Sequence, residues 1–351
     1  MKTIVLTGGG TAGHIVANIA LLPTLRKHFE QIVYIGSGAE IEQNLLKPYQ
    51  DVKYFCIPTI KFVRGFSFKN FKIPFVLLKA KKAATKLLND LNPDVIFCKG
   101  GYVGLPVVLA GAKLHIPIVA HESDLTLGLA HKIVKNKYTF ICTTFKTTAQ
   151  KLKNGIFTGS PVRLETLNGN ALKIKNNLNL NSLPVLLVLG GSQGAKQINE
   201  LIENNLNYLT KIFQVIHIRG KNKLNNHIKH KNYYQMEFCN NMGDLYAAAN
   251  LCITRGGSNT LHELAYNHIP MLIIPLQQGT RGDQVDNAKY FEQNGFAISL
   301  CDKAIDNKKF LNALEELLKK AEQIKNKNLN NEQAIKTITK IIVNAANKKT
   351  K

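Results

Sequence analysis

Residues 251–287 constrain this chain more than any other stretch; they read LCITRGGSNTLHELAYNHIPMLIIPLQQGTRGDQVDN. A short apolar strand at 251–253 runs into a glycine turn, Arg255-Gly256-Gly257-Ser258. A helical pattern follows at 260–266, then a second apolar strand at 271–274 and a polar loop at 277–284. Strand, turn, helix, strand is the unit of a parallel sheet covered by helices. The turn leaves backbone N–H groups and the positive end of a helix dipole free for an anion such as a phosphate or diphosphate. Glu263 lies one turn inside that helix, where its carboxylate suits a vicinal diol such as a ribose. Asp283, Gln284 and Asn287 follow the next strand and bring partners for sugar hydroxyls. Phosphate, ribose and sugar contacts in one αβ unit point to a nucleotide-sugar site. Thr260-x-x-Glu263 is equally a capping-box pattern, in which Glu263 only satisfies backbone donors; the residues alone leave both readings open.

The same device recurs. An apolar run at 3–6 leads to Gly8-Gly9-Gly10-Thr11-Ala12-Gly13-His14, with a helix expected to about residue 27. Strands are expected at 32–35, 52–57, 95–98, 116–120 and 140–143, with a helix at 107–114. A polar, Asn-rich stretch at 168–182 follows a Pro-containing turn at 156–163 and marks a domain junction. A second series opens with a strand at 185–189 running into Gly190-Gly191-Ser192-Gln193-Gly194, and continues at 213–218 and 296–300. The expected fold class is therefore α/β: two doubly wound, Rossmann-like domains, 1–163 and 164–334. Ligands of such sheets bind beyond the carboxyl ends of the strands, so the active site is expected in the cleft between the domains.

With 351 residues the chain is long enough for two cores. Its net charge of +23 implies attraction to anionic surfaces. No basic-aromatic stacking platform accompanies the charge, so nucleic acid is not an expected partner. The six cysteines, at 56, 98, 142, 239, 252 and 301, fall mostly in or beside apolar runs and lack C-x-x-C spacing. That fits buried reduced thiols in a cytosolic protein. The N-terminus lacks the apolar segment of a signal peptide, and no apolar run approaches the ~20 residues that span a bilayer.

Gly8-x-Gly10-x-x-Gly13 formally matches the dinucleotide fingerprint, but the second strand ends Ile35-Gly36-Ser37 and offers no acid there for an adenine ribose. No nicotinamide or flavin cofactor is therefore expected. His14, directly after the glycines, suits a general base; it is equally placed to cap or pack on its helix. His121-Glu122-Ser123-Asp124 and His262-Glu263 both lack the second histidine of a zinc motif, and the chain contains no Asp-x-Asp. No metal site is expected, and a diphosphate would be held by helix ends and by Arg or Lys. For His121 a structural hydrogen bond is the favoured reading. Lys99-Gly100-Gly101-Tyr102 offers another anion-friendly turn. Residues 61–86 mix Phe, Ile, Val and Leu with Lys and Arg and contain no acid. That composition suits an interfacial membrane patch, although a helix with a solvated basic face is the commoner case.

With these residues assembled, the chain resembles the MurG-type glycosyltransferases of peptidoglycan synthesis. The motifs that carry the resemblance occur in family order across the chain: GGGTAGHI, GGYVGLP, HESDLTLGLAHK, GSPVR, GGSQGA, RGGSNTLHE and RGDQVDNA. HESDLTLGLA and RGDQ look like a low-GC Gram-positive branch. The resemblance implies the two-domain GT-B fold, with the acceptor on the first domain and the donor nucleotide mainly on the second. It implies a C-terminal helix, about 335–351, that returns to the first domain. It implies inverting transfer of GlcNAc from UDP-GlcNAc to lipid I, giving lipid II, at the cytoplasmic face of the cell membrane. Anionic inner-leaflet lipids would meet the 61–86 patch.

By the same resemblance His14 is the base, with Glu122 next in line. Thr11, Ala12 and Gly13 lie against the donor sugar and diphosphate, and Asp124, where the family more usually has Asn, contacts the sugar. Tyr102 belongs to the substrate site, and Arg163 and Ser192 contact the nucleotide. Cys239 flanks the uracil through its backbone. Arg255, Ser258, Asn259 and Thr260 cradle the diphosphate, Glu263 holds the ribose, and Gln284, with Asp283 and Asn287 nearby, holds the GlcNAc hydroxyls.

Overall fold

The structure, a computed structural model, describes residues 1–60, 71–191, 194–277, 281–329 and 333–349. The chain divides into two compact units, Met1–Arg163 with Asn331–Lys351, and Leu164–Asn330. In the first, strands and helices alternate as β1 (Thr3–Thr7), α1 (Ala12–Leu25), β2 (Gln31–Gly36), α2 (Glu40–Leu46), β3 (Val52–Cys56), α3 (Ile73–Leu91), β4 (Val95–Cys98), α4 (Gly101–Lys113), β5 (Ile118–Glu122), α5 (Leu129–Val134), β6 (Phe140–Thr143), α6 (Lys146–Gln150) and β7 (Gly155–Phe157). The second runs α7 (Ala171–Asn177), β8 (Val185–Leu189), α8 (Lys196–Asn204), α9 (Leu206–Ile212), β9 (Gln214–Ile218), β10 (Tyr233–Met236), α10 (Met242–Ala248), β11 (Leu251–Thr254), α11 (Ser258–Tyr266), β12 (Met271–Ile273), α12 (Asp283–Gln293), β13 (Ala297–Ser299) and α13 (Asn307–Lys325). The last helix, α14 (Ala334–Lys349), belongs to the first unit.

Both sheets are parallel and doubly wound. The first has the order β3-β2-β1-β4-β5-β6-β7 and the second β10-β9-β8-β11-β12-β13. Strand order therefore reverses between β1 and β4, and again between β8 and β11. At such a reversal the loops leave to opposite faces and open a crevice at the strand ends. Register keeps those ends level: Thr7 pairs with Cys98, and Leu189 and Thr254 are partners.

Strand alternation builds two cores in the first unit. Ile4 and Leu6 point to one face, where they meet Ile15, Leu21 and Leu22 of α1. Val5 points to the other, against Ala84 and Leu88 of α3 and Val107 of α4. Helix α14 completes the first of these cores with Ile338, Ile342, Ala345 and Ala346, all buried at i, i+4, i+7 and i+8. Thr24 and Thr339 share a hydroxyl hydrogen bond of 2.7 Å, and Lys2 Nζ donates to Asn347 Oδ1 at 2.8 Å. In the second unit Leu186 and Val188 pack with Ile198 and Ile202 of α8 and Phe310, Leu314 and Leu317 of α13.

Helix α4 starts at Gly101, six residues before the expected start; Pro106, in its second turn, costs one hydrogen bond and does not end it. His121 and Glu122 are the last two residues of β5 itself. The first ten residues of the 61–86 stretch lie outside the described residues; most of the remainder is α3. Among the described residues no helix is long and apolar enough to cross a membrane.

Candidate active site

At the β1 end, Gly8 and Gly10 take φ of +143° and +90°, a left-handed backbone that favours glycine. A Cβ on Gly10 would stand 2.6 Å from the Tyr102 ring. The turn delivers Thr11, Ala12 and Gly13 to the start of α1, and His14 to its first turn. There His14 Nδ1–H donates to the Gly9 carbonyl at 2.8 Å. A carbonyl only accepts, so the bond assigns the ring proton to Nδ1 and leaves Nε2 as the basic nitrogen of the neutral ring. The β4 turn touches this one. A Cβ on Gly101, φ +77°, would lie 2.3 Å from Gly9 O and 3.1 Å from His14 Nδ1. Beneath both, the fully buried Glu42 carboxylate accepts from Ser37 N at 2.6 Å, Ser37 Oγ at 2.8 Å and Tyr54 Oη at 2.9 Å. Burial and the neighbouring Glu42 charge raise the Tyr102 phenol above its usual range.

The β5 end is organised from within. His121 Nε2–H donates to Gly159 O at 2.9 Å, and its Nδ1 accepts from Lys99 Nζ at 2.6 Å. The structural role favoured for His121 is the one its two bonds describe. In the turn read as anion-friendly, the Lys99 side chain is itself buried, and its second bond goes to Ser123 Oγ at 2.6 Å. Glu122 accepts from Asp124 N at 3.0 Å through Oε1 and from Gly128 N at 2.7 Å through Oε2. These bonds tie the loop carrying the half-buried Asp124. Arg163, half-buried, closes the first unit.

In the second unit the crevice at β8 and β11 is a cavity of about 1050 Å³. Gly190, Gly191 and Gly194 form one wall, and Arg255, Gly257 and Thr260 the wall across the strand reversal. Among the described residues Lys196, Lys223 and Lys303 line it together with Arg255, against a single acid, Glu200. Such a lining favours an anion. Gly194, φ +65°, is held so close to β9 that a Cβ there would lie 1.9 Å from Arg219 O. Arg255 Nη1 donates to Gln197 Oε1 and Ile274 O, each at 2.9 Å, and burial lowers its guanidinium pKa. Gln284 also lines the cavity, with its Oε1 accepting from Leu276 N at 3.0 Å.

Helix α11 begins at Ser258 with Gly257 as its N-cap, so Thr260 and Glu263 do not form a capping box. Glu263 is buried and its Oε2 accepts from Tyr246 Oη at 2.8 Å. Ser258 is buried at the first position of the helix, and Asn259 is half-buried beside it. Asn287, fully buried, donates from Nδ2 to Gly256 O at 3.1 Å and so holds the turn from behind. Asp283 heads α12 with Arg281 Nε 3.4 Å from its Oδ1. Cys239 lies half-buried beyond β10, with Sγ–H donating to Asn241 O at 3.3 Å; burial raises the thiol. Ser192 lies outside the described residues. Of the second unit's expected site residues, Arg255, Thr260 and Gln284 line the cavity itself.

Each unit carries a glycine-edged strand reversal, that of the second lined by cations, and comparison with known proteins decides the family. The model of the glycosyltransferase family 28 N-terminal domain matches residues 4–143, and that of the family 28 C-terminal domain matches residues 185–343. The chain belongs to glycosyltransferase family 28. A family 28 relative from Clostridium botulinum (strain Alaska E43 / Type E3), a UDP-N-acetylglucosamine--N-acetylmuramyl-(pentapeptide) pyrophosphoryl-undecaprenol N-acetylglucosamine transferase, is 41% identical over 97% of each chain. A crystal structure of Acinetobacter baumannii MurG shares the fold with a TM-score of 0.71, at 22% identity over 97% of this chain and 99% of that one. A UDP-GlcNAc 2-epimerase from Neisseria meningitidis also shares it, with a TM-score of 0.66 at 15% identity, over 99% of this chain and all of that one.

Three features of this family 28 chain escape a reading of the sequence. Glu42 lies in the first turn of α2 and joins the first crevice only because Ser37, just after β2, and Tyr54 of β3 close around it. Lys223 and Lys303 come from loops distant in sequence and meet only at the cavity. Gln197 gave no signal beyond its place one residue into α8, where it orients Arg255.

Proposed function

We propose that this family 28 enzyme transfers N-acetylglucosamine from UDP-GlcNAc to undecaprenyl-diphospho-MurNAc-pentapeptide, lipid I, to form lipid II in peptidoglycan synthesis. One observation carries the reading: 41% identity along 97% of both chains to a transferase of that name. The cationic cavity of the second unit supports the donor half, since a UDP-sugar brings a diphosphate to be held without a metal. Arg255 and Lys196, with the N–H groups of the glycine turns, meet that charge.

The reaction is an inverting displacement. The acceptor hydroxyl oxygen forms a bond to the anomeric carbon as the bond from that carbon to the UDP phosphate oxygen breaks. The hydroxyl proton passes to His14 Nε2, and UDP leaves with the added negative charge. His14 is preferred to Glu122 as base because its Nδ1–H is already committed to Gly9 O, which keeps Nε2 basic, whereas both Glu122 oxygens accept backbone N–H groups. Preorganised donors at the leaving diphosphate supply the other large term. Thr11, Ala12, Gly13, Tyr102 and Asp124 take sugar and acceptor contacts, while Arg163, Ser192 and Cys239 contact the nucleotide. Ser258, Asn259 and Thr260 hold the diphosphate; Glu263 serves the ribose, and Asp283, Gln284 and Asn287 the GlcNAc end.

The lipid acceptor places the enzyme peripherally on the cytoplasmic face of the membrane, and α3 supports that reading. Phe75, Leu78, Lys79, Lys82 and Lys86 recur along one exposed face, opposite the buried Ala80, Ala84 and Leu88. Phe75 is 76% and Leu78 66% exposed. Apolar tips beside lysines suit an anionic interface.

The test is transfer of labelled GlcNAc from UDP-GlcNAc to a short-chain lipid I analogue. Transfer that requires the analogue is expected. Consumption of UDP-GlcNAc with no acceptor present would replace the reading with epimerisation. Transfer only to other lipid acceptors would keep the donor half and overturn the acceptor.

A further inference from the structure

Lys99 is the least expected side chain in the first unit. It follows β4 directly, at the strand reversal, and is 2% exposed. A buried ammonium is costly unless its protons are bonded, and a methionine would fill the same space without that cost. Here two charge-assisted bonds of 2.6 Å run to His121 Nδ1 and Ser123 Oγ. The first fixes the tautomer of His121, whose Nε2–H anchors to Gly159 O on the far side. The second fixes the residue that opens the loop. From the other direction the Glu122 carboxylate closes the loop on Asp124 N and Gly128 N. Cation and carboxylate together pin residues 121–128 from two sides.

We propose that Lys99 is a positioning residue for the transfer reaction, its ammonium setting, through His121 and Ser123, the loop that presents Asp124 to the sugar. This deepens the transferase reading and rests on it. The groups facing Lys99 are Cys98 at the end of β4, His121 and Glu122 on β5, Asp124 in the loop, Ser123 beside it and Cys142 on β6. Burial lowers the Lys99 ammonium to about 8, against the raising effect of the Glu122 and Asp124 carboxylates. Loss of the charge removes one proton and the charge assistance from both bonds, so the loop loosens on the alkaline side.

The test compares wild type, Lys99→Met and Ser123→Ala in the lipid I transfer assay from pH 6 to 10, with UDP affinity measured separately by calorimetry. Wild-type kcat is expected to fall above about pH 8. Lys99→Met is expected to lower kcat on the order of 10- to 100-fold by loosening the site, to leave UDP affinity unchanged, and to lose the alkaline limb. Ser123→Ala removes an acceptor of the ammonium and is expected to move that limb to lower pH; it decides the matter should Lys99→Met not fold. A Lys99→Met enzyme within twofold of wild type, or a limb unmoved in Ser123→Ala, overturns the proposal. No transfer by wild type with UDP still bound overturns the transferase reading instead.

Discussion

His14 Nδ1 lies 2.8 Å from the Gly9 carbonyl oxygen, five residues back along the same turn. The glycine turn thereby selects the tautomer of the neutral ring it delivers. His14→Ala is expected to lower kcat by about 10²- to 10⁴-fold, the range for loss of a general base, with UDP affinity within twofold of wild type. Steady-state transfer kinetics and calorimetric UDP titration check both halves.

Gly257 and Gly194 separate space for ligand from space for fold. A Cβ on Gly257 meets nothing within 4 Å and Gly257 lines the cavity. Gly257→Ala is expected to cost no more than about 1 kcal/mol of stability as a changed N-cap, yet to weaken UDP binding at least about tenfold by filling the diphosphate wall, a loss of about 1.4 kcal/mol. Gly194→Ala has no room beside Arg219 O and is expected to unfold the turn itself. Melting temperatures with and without UDP distinguish the two.

Acid is expected to weaken the second unit through His217. This ring on β9 is fully buried, accepts from Tyr233 Oη at 2.9 Å and donates to Asn199 Oδ1 at 3.0 Å. Burial, with the Arg219 charge nearby, lowers it from 6.5 to about 3. The folded state then holds fewer protons than the unfolded one between those values. The contribution is complete above pH 6.5 and is lost progressively as pH falls toward 3, by at most about 1.4 kcal/mol per pH unit. Urea midpoints from pH 7 to 4 should show a shallower slope for His217→Gln, which takes no proton, than for wild type.

The exposed face of α3 predicts binding to anionic vesicles. Phe75→Ser with Leu78→Ser is expected to reduce sedimentation with phosphatidylglycerol vesicles several-fold while leaving the melting temperature within a few degrees, since both side chains are exposed. Equal sedimentation of variant and wild type would remove this face from the membrane contact.

Most of the strands were legible because each is a short apolar run between polar or helical segments; the runs at 95–98, 140–143 and 185–189 reappear as β4, β6 and β8 without a shift. Strand β10 was not, because Tyr233, Tyr234, Gln235 and Met236 lie at the sheet edge, where the period-2 apolar signal is diluted. Thr260 and Glu263 matched a capping box by spacing alone, and the helix begins two residues before Thr260 because Gly257 accepts the N-cap geometry. Lys99 was legible only as part of an anion-friendly turn with Gly100, Gly101 and Tyr102; the pairing of β4 with β5 is what brings His121 to it. Spacing identifies which residues share a crevice, but burial and partners depend on strands that the local sequence does not name.

Helix α14 has a consequence for how the protein is made. The core under β1 and α1 needs Ile338 and Ile342, which a ribosome adds more than 300 residues after Ile4. Each buried isoleucine is worth about 1.5–3 kcal/mol against exposure, so a chain that has not yet released α14 from the ribosome carries an unfinished first core. The half synthesised earliest is thus the last to mature. Limited proteolysis of a released chain truncated after residue 330 is expected to cut residues 1–163 first, and the full-length chain to lose that sensitivity.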